Sequence, residues 1–264
     1  MKLRVLALAA ALAAMLAPPA LAQQAKSRLL TVQESGTLRV GTTGDFNPMS
    51  FKEPGSNEYK GHQIDVAKEL AKQMGVKVEF VPSTWPTLIN GLNANQYDIV
   101  MTGTSMSVAR AKAVGFTMPW GRNAFVPLAL KANEGKFKNW AELNDPKVTV
   151  AVNLGTTMEQ FVQKELPKAQ FRRVESPARD WQELLSGRVD VTISSLIEAA
   201  YLTKEYPQLV VLFREQPKNV IPMAFLVPID DSVWLNFINN WIVINQAEGF
   251  FDRIAKEWKL VAAD

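Results

Sequence analysis

Apolar and polar residues alternate along Leu38-Arg-Val-Gly-Thr-Thr43, and the alternation breaks at Gly44-Asp-Phe-Asn-Pro48. A period of two predicts a half-buried strand that runs into a loop at its C-terminal end. Over 61–74 the period lengthens: Ile64, Ala67, Leu70, Ala71 and Met74 share one helical face, and Gly75 supplies the stop. A second alternating strand follows at 76–80, a short helix opened by Pro86 at 85–92, and a third strand at 97–101. Strands that alternate with helices predict a parallel sheet covered on both faces.

An extended apolar run at 125–130 interrupts this pattern, which then restarts. Strands are expected at 148–152, 171–174, 189–193 and 209–213, with helices at 158–165, 180–186 and 196–206 between them. A second extended run at 223–227 leads to two closing helices, 232–246 and 250–258. Two similar α/β units flanked by extended connections predict two lobes joined by two crossings. The expected division is 28–126 plus 224–264 for one lobe and 127–223 for the other, with the last helices packed on the first lobe.

In open α/β sheets, ligands bind beyond the carboxyl ends of the strands. Five polar stretches occupy such ends: 45–51, 84–85, 102–110, 153–157 and 194–198. Of these, Met101-Thr-Gly-Thr-Ser-Met-Ser-Val-Ala-Arg110 carries the clearest chemistry. Gly103, Thr104 and Ser105 offer backbone N–H groups and hydroxyls, and Arg110 offers a guanidinium suited to a carboxylate. The same stretch also reads as an ordinary strand–turn–helix with hydroxyl caps and a surface arginine. Convergence of five polar loops on one interlobe cleft favours a small-molecule site.

Composition removes alternatives. The chain has no cysteine and one histidine, so a Cys–His pair is impossible and a Ser-His-Asp triad could only use His62. No zinc ligand set and no Gly-rich phosphate loop is visible, and no cofactor or metal is expected. The N-terminus has a basic Met1-Lys-Leu-Arg4, an apolar run and Ala20-Leu-Ala22, the parts of a secretory signal peptide over 1–22. The run is too short to span a bilayer. Taking Lys2 and Arg4 away lowers the formal charge from +3 to about +1, which argues for neither nucleic acid nor a membrane surface. A soluble exported monomer of roughly 240 residues, stabilised by its cores rather than by disulfides, is expected.

Taken in order, Leu38-Arg-Val-Gly-Thr-Thr, Tyr59-Lys-Gly-His-Gln-Ile-Asp-Val-Ala, Val81-Pro-Ser-Thr-Trp85, Tyr97-Asp-Ile-Val-Met-Thr-Gly-Thr-Ser, Arg110-Ala, Gly155-Thr156 and Gly187-Arg-Val-Asp-Val resemble the family-3 extracellular solute-binding proteins. The resemblance implies a periplasmic two-lobed clamshell that closes on one small solute and delivers it to an inner-membrane ABC permease. It implies that Arg110 binds a ligand carboxylate, helped by Ser105, the backbone at Gly103 and the amides of Thr156 and Thr157. It further implies aromatic walls from Phe51 and Trp85, with Asp45 and Thr104 among the binding residues. Each has a plainer alternative: Trp85 as core, one of Met49 and Phe51 as core, and Thr156 and Thr157 as a helix cap.

One position departs from that family. Amino-acid receptors carry an aspartate, five residues beyond the one matching Asp190, that holds the ligand's amino group; here it is Ser195, with Glu198 nearby in the first helical turn. Thr42-Thr-Gly-Asp45, Pro82-Ser-Thr-Trp-Pro86, Val152-Asn153 and Ile197-Glu-Ala199 also resemble a periplasmic cyclohexadienyl dehydratase branch of the same fold. In that branch the glutamate matching Glu198 is a general acid. The stretch between Gly155 and Gln160, the Ser194-Ser195 pair and Pro222-Met223 differ from the enzyme pattern. The leading expectation is therefore a receptor for a small carboxylate-bearing solute, with prephenate or arogenate dehydration as the alternative and Glu198 also open as a first-turn charge favoured by the helix dipole.

Overall fold

A computed structural model describes residues 26–260; the leader expected over 1–22 lies outside the described residues. The first sheet is built from β1 (Thr37–Thr42), β5 (Lys77–Pro82), β6 (Ile99–Val100), β7 (Gly115–Phe116) and β14 (Leu226–Val227), in the order β5-β1-β6-β14-β7. Strand β1 pairs in parallel with both β5 and β6. Three short strands, β2 (Asp45–Phe46), β3 (Ser50–Lys52) and β4 (Tyr59–Lys60), form a small antiparallel sheet beside it.

The second sheet holds β8 (Gly121–Leu130), β9 (Thr149–Asn153), β10 (Gln170–Val174), β11 (Val191–Ser195) and β12 (Leu209–Val211), in the order β10-β9-β11-β8-β12. A further strand, β13 (Lys218–Met223), pairs with β8. Strands β9, β10 and β11 are parallel, as the strand–helix alternation predicts. The reversed strands are β14, which runs against β6 and β7 in the first sheet, and β8, which runs against β11, β12 and β13 in the second. The strand–helix alternation does not extend to β8, β13 and β14, which belong to the connecting runs, so the wholly parallel expectation fails there.

The helices follow the periodicity closely. Helix His62–Gln73 buries Ile64, Val66, Ala67, Leu70 and Ala71 against β1 and β5. The closing helices Ser232–Ala247 and Phe250–Glu257 add Trp234, Ile238, Trp241, Ile242, Phe250, Phe251 and Ile254 to the same core. On the second sheet, one face buries Phe125, Val150, Phe161 and Ile193, and the other buries Val126, Leu184, Ala199 and Leu202. Helix Arg28–Ser35, capped by the Ser27 hydroxyl, had no counterpart in the sequence pattern; among its residues Val32 is buried.

The two connections between the sheets run side by side and share hydrogen bonds. Thr117 N–H donates to the Phe225 carbonyl, Phe225 N–H donates to the Thr117 hydroxyl at 3.0 Å, and Trp120 N–H donates to the Met223 carbonyl. Two adjacent crossings restrict relative movement of the sheets to a hinge about that pair of strands.

Trp234 sits at the centre of the first core, wholly buried, with its indole N–H donating to the Asp98 carbonyl at 3.0 Å. Trp234→Ala is expected to cost about 3–5 kcal/mol by cavity formation and loss of that bond. Urea unfolding followed by far-UV circular dichroism measures this; a loss below about 1 kcal/mol would show that the core is not organised around that ring.

Candidate functional site

Chain segments beyond the strand ends of both sheets line one cleft with about 440 Å³ of space between atoms, part of it open to solvent. The first sheet's side contributes Phe46, Trp85, Gly103, Ser105 and Arg110, and the second contributes Asn123, Asn153, Thr156, Thr157, Met158, Arg179, Asp180, Ile193 and Glu198. Phe46 and Trp85 meet edge to face with ring centroids 6.2 Å apart and form the aromatic wall. Gly103, at φ +85°, lies under the Phe46 ring, where any Cβ would come within 2.8 Å of a ring carbon. Only glycine fits that approach.

Arg110 lies in the single turn Val108–Ala111, whose start is capped by the Ser107 hydroxyl. Its guanidinium donates to the Ser105 carbonyl at 2.9 Å and, across the cleft, to the Gly155 carbonyl at 3.2 Å. The side chain is buried, and no carboxylate forms an ion pair with it among the described residues. Burial without a counter-charge pushes its pKa down to about 10. A guanidinium has five N–H donors, so this cation keeps unused donors, and among the described residues none of the carboxylates at the cavity pairs with it.

Arg179 presents the opposite case. It precedes helix Asp180–Leu185, with its backbone N–H held by the Gln182 side chain at 3.0 Å. Its Nη2 lies 2.8 Å from Glu198 Oε1, and its Nη1 lies 2.8 Å from Asp45 Oδ2 on the other side of the cleft. Asp45 is held in turn by the Trp85 indole N–H at 3.0 Å. Burial opposes the Arg179 charge, but Glu198, Asp45 and Asp180 outweigh it and raise its pKa.

Glu198 opens the helix Leu196–Glu205, its backbone N–H donating to the Ser195 hydroxyl at 2.9 Å. The Ser194 hydroxyl donates to its second oxygen at 3.0 Å. Burial raises its pKa to about 7; Arg179 and Ser194 oppose that rise, while Asp180 and Asp45 add to it. Asp180 is also pushed upward by burial, against Arg179 and hydrogen bonds from Thr192, the Trp181 backbone and Asn153.

Of the residues singled out in the sequence, Trp85, Gly103, Ser105, Arg110, Thr156, Thr157 and Glu198 line the cavity. Asp45 reaches it through Arg179. Thr156 also caps its helix, accepting from Glu159 N–H at 3.3 Å. Phe51 does not form a wall: its ring packs edge to face on Trp258 at 6.1 Å, and Phe46 takes the wall position. Met49, the other candidate in that alternation, is wholly buried. Thr104 is buried outside the lining, with its carbonyl on Ala224 N–H, and Ser195 serves as the helix cap. The sequence reading missed Phe46, Asn123, Asn153, Met158, Arg179, Asp180 and Ile193 as lining residues. A charged Arg-Asp pair opening a helix beside a strand end was the available signal for Arg179. Among the described residues no group of three His, Cys, Asp or Glu side chains could hold a metal ion, and no helix is long and apolar enough to cross a membrane.

A sequence model of the bacterial extracellular solute-binding proteins, family 3, matches residues 38–261. A cyclohexadienyl dehydratase of Pseudomonas aeruginosa is 32% identical over 89% of this chain and 87% of its own length. The ABC transporter arginine-binding protein 1 of Escherichia coli K12 is 27% identical, over 84% of this chain and 90% of its own. A crystal structure of an ancestral amino-acid-binding protein, a precursor of cyclohexadienyl dehydratase, is 40% identical with a TM-score of 0.83, covering 88% of this chain and 99% of that one.

The Glu198 environment makes a pH-dependent prediction. A carboxyl whose folded pKa is about 7, against an ordinary 4.5, keeps its proton where the unfolded chain has lost it. Its contribution therefore turns against folding as pH rises from about 4.5 and is fully unfavourable above about 7. Urea unfolding from pH 5 to 8 should show wild type losing stability relative to Glu198→Gln; taking the difference removes the separate titration of His62, whose pKa burial lowers to about 4. A constant difference across that range would mean that Glu198 is an ordinary ionised carboxylate.

Proposed function

The chain belongs to the bacterial extracellular solute-binding proteins, family 3, and from that premise we propose that it is the periplasmic substrate-binding protein of an ABC transporter for a small carboxylate-bearing solute, an amino acid or a related organic acid. The observation that carries this reading is Arg110: a buried cation facing a cavity, with backbone carbonyls for partners and no carboxylate of its own. An arriving carboxylate would supply the missing charge and accept the unused donors, and charge-assisted bonds of this kind are the strong ones.

Binding is coupled to closure. Arg110 touches the Gly155 carbonyl, Arg179 touches Asp45, and Ile197 packs with Phe46, Met49 and Met223, so both sides of the cleft contribute to one enclosure. A ligand that contacts both sides favours the closed arrangement by its differential affinity for it. The two lobes would hinge at the paired crossings, and the closed monomer is the form an inner-membrane permease would receive. Residues 1–22 serve as the export signal.

A second reading is supported by Glu198 and by the 32% identical dehydratase. A buried carboxyl with a pKa raised to about 7 can donate a proton near neutral pH. On prephenate or arogenate it would protonate the departing ring hydroxyl, which leaves as water while carbon dioxide is lost and the ring becomes aromatic. Both Glu198 oxygens are already engaged, one by Arg179 and the other by the Ser194 hydroxyl, which favours the receptor over the enzyme.

Thermal-shift measurements with amino acids, organic acids and aromatic acids should find a ligand that raises the melting temperature of the protein, and Arg110→Ala should abolish the rise. No shift with any of them would contradict the receptor reading. Incubation with prephenate, followed by phenylpyruvate absorbance, separates the second: the receptor reading expects no turnover, and turnover lost in Glu198→Gln would establish the dehydratase.

A further inference from the structure

The cavity's donors and acceptors are unequally committed. Three carboxylates stand at it, and each of their oxygens already has a donor or a cation. Asp45 holds the Trp85 indole and Arg179; Glu198 holds Arg179 and the Ser194 hydroxyl; Asp180 holds Asn153 and the Trp181 backbone on one oxygen and the Thr192 hydroxyl on the other. The Ser105 and Gly155 carbonyls are engaged by Arg110. Donors remain spare. Arg179 Nε and the Asn123 Nδ2 amide are buried without a hydrogen-bond acceptor, while Arg179 Nη1 faces the Asp45 carboxylate at 2.8 Å. Asn123 is wholly buried, and its oxygen is occupied by Ala124 N–H at 2.9 Å.

Leaving such donors unpaired is costly, more so for a charged group, so a ligand that supplies acceptors is strongly favoured over one that brings more donors. An ammonium would bring three N–H donors and a positive charge beside two guanidinia, where every carboxylate oxygen already holds one donor or cation. We infer that the ligand is an organic acid without an amino group: one carboxylate for Arg110, further acceptor oxygens for Arg179 and Asn123, and a body that lies against Phe46, Trp85 and Ile193. Arg179 is the specificity-determining residue, a cation of the protein itself where a zwitterionic ligand would need an open carboxylate. This inference rests on the receptor reading and narrows its ligand.

Calorimetric titration with matched pairs tests it: 2-oxoglutarate against L-glutamate, phenylpyruvate against L-phenylalanine, and the strongest binder of the wider screen against its analogue with the amino group added or removed. The amine-free member of the binding pair should bind at least tenfold more tightly. In Arg179→Gln, which frees Asp45 and Glu198, the preference should move at least tenfold toward the amino acid; Arg179→Lys should keep the wild-type order. Circular dichroism on each variant identifies any that fails to fold, and the wild-type pairs decide without them. Amino acids that bind wild type as tightly as their amine-free partners, with binding lost in Arg110→Ala, would overturn this inference and leave the receptor reading standing. No binding by any member would overturn both.

Discussion

The Arg179 guanidinium, set between Glu198 on its own lobe and Asp45 on the other, is the constraint on which the closed site depends. Three features follow from it. It draws the ends of the two sheets together at a buried point, it commits two of the three carboxylates at the cavity, and it leaves Arg110 as the cation still lacking an anion. Buried ion pairs gain little net stability once desolvation is subtracted, but losing one partner of such a pair commonly costs 3–5 kcal/mol. The Arg179 pairs therefore add little net stability, yet removing either partner is costly.

Glu198 shows how the same local structure supports either of two functions. Its place at the first turn of a helix, capped by Ser195, needs no function at all to explain it. Burial beside Asp180 and Asp45 raises its pKa, while Arg179 and Ser194 favour its ionised form. A receptor can use such a carboxyl as the fixed partner of a guanidinium. An enzyme needs it free to release its proton to substrate, and here one oxygen faces Arg179 and the other receives the Ser194 hydroxyl. Those commitments are why the receptor is preferred.

Most of the architecture was legible along the chain because strands and helices announce themselves by local period. The face of His62–Gln73 and the alternation of Thr37–Thr42 are properties of neighbouring residues. Arg110, Trp85 and Thr156 were also legible, because they lie just beyond strand ends. Phe51 and Phe46 mark the limit. Both lie in one short hairpin, and what separates them is Trp258, which arrives from the far end of the chain to cover Phe51. Arg179 was missed for a similar reason: Glu198 meets it only through the fold of its own lobe, and Asp45 only when the other lobe is in place. The antiparallel β14 likewise depends on the chain returning to a sheet it had left.

The central claim is that Arg110 awaits an anion while the charge of Arg179 is already balanced by Asp45 and Glu198. A crystal structure of the complex with the organic acid that gives the largest thermal shift tests it most directly. The account predicts a ligand carboxylate within hydrogen-bond distance of the Arg110 guanidinium, with the Arg179–Asp45 and Arg179–Glu198 pairs intact. A carboxylate bound elsewhere, with Arg110 still held only by the Ser105 and Gly155 carbonyls, would contradict it.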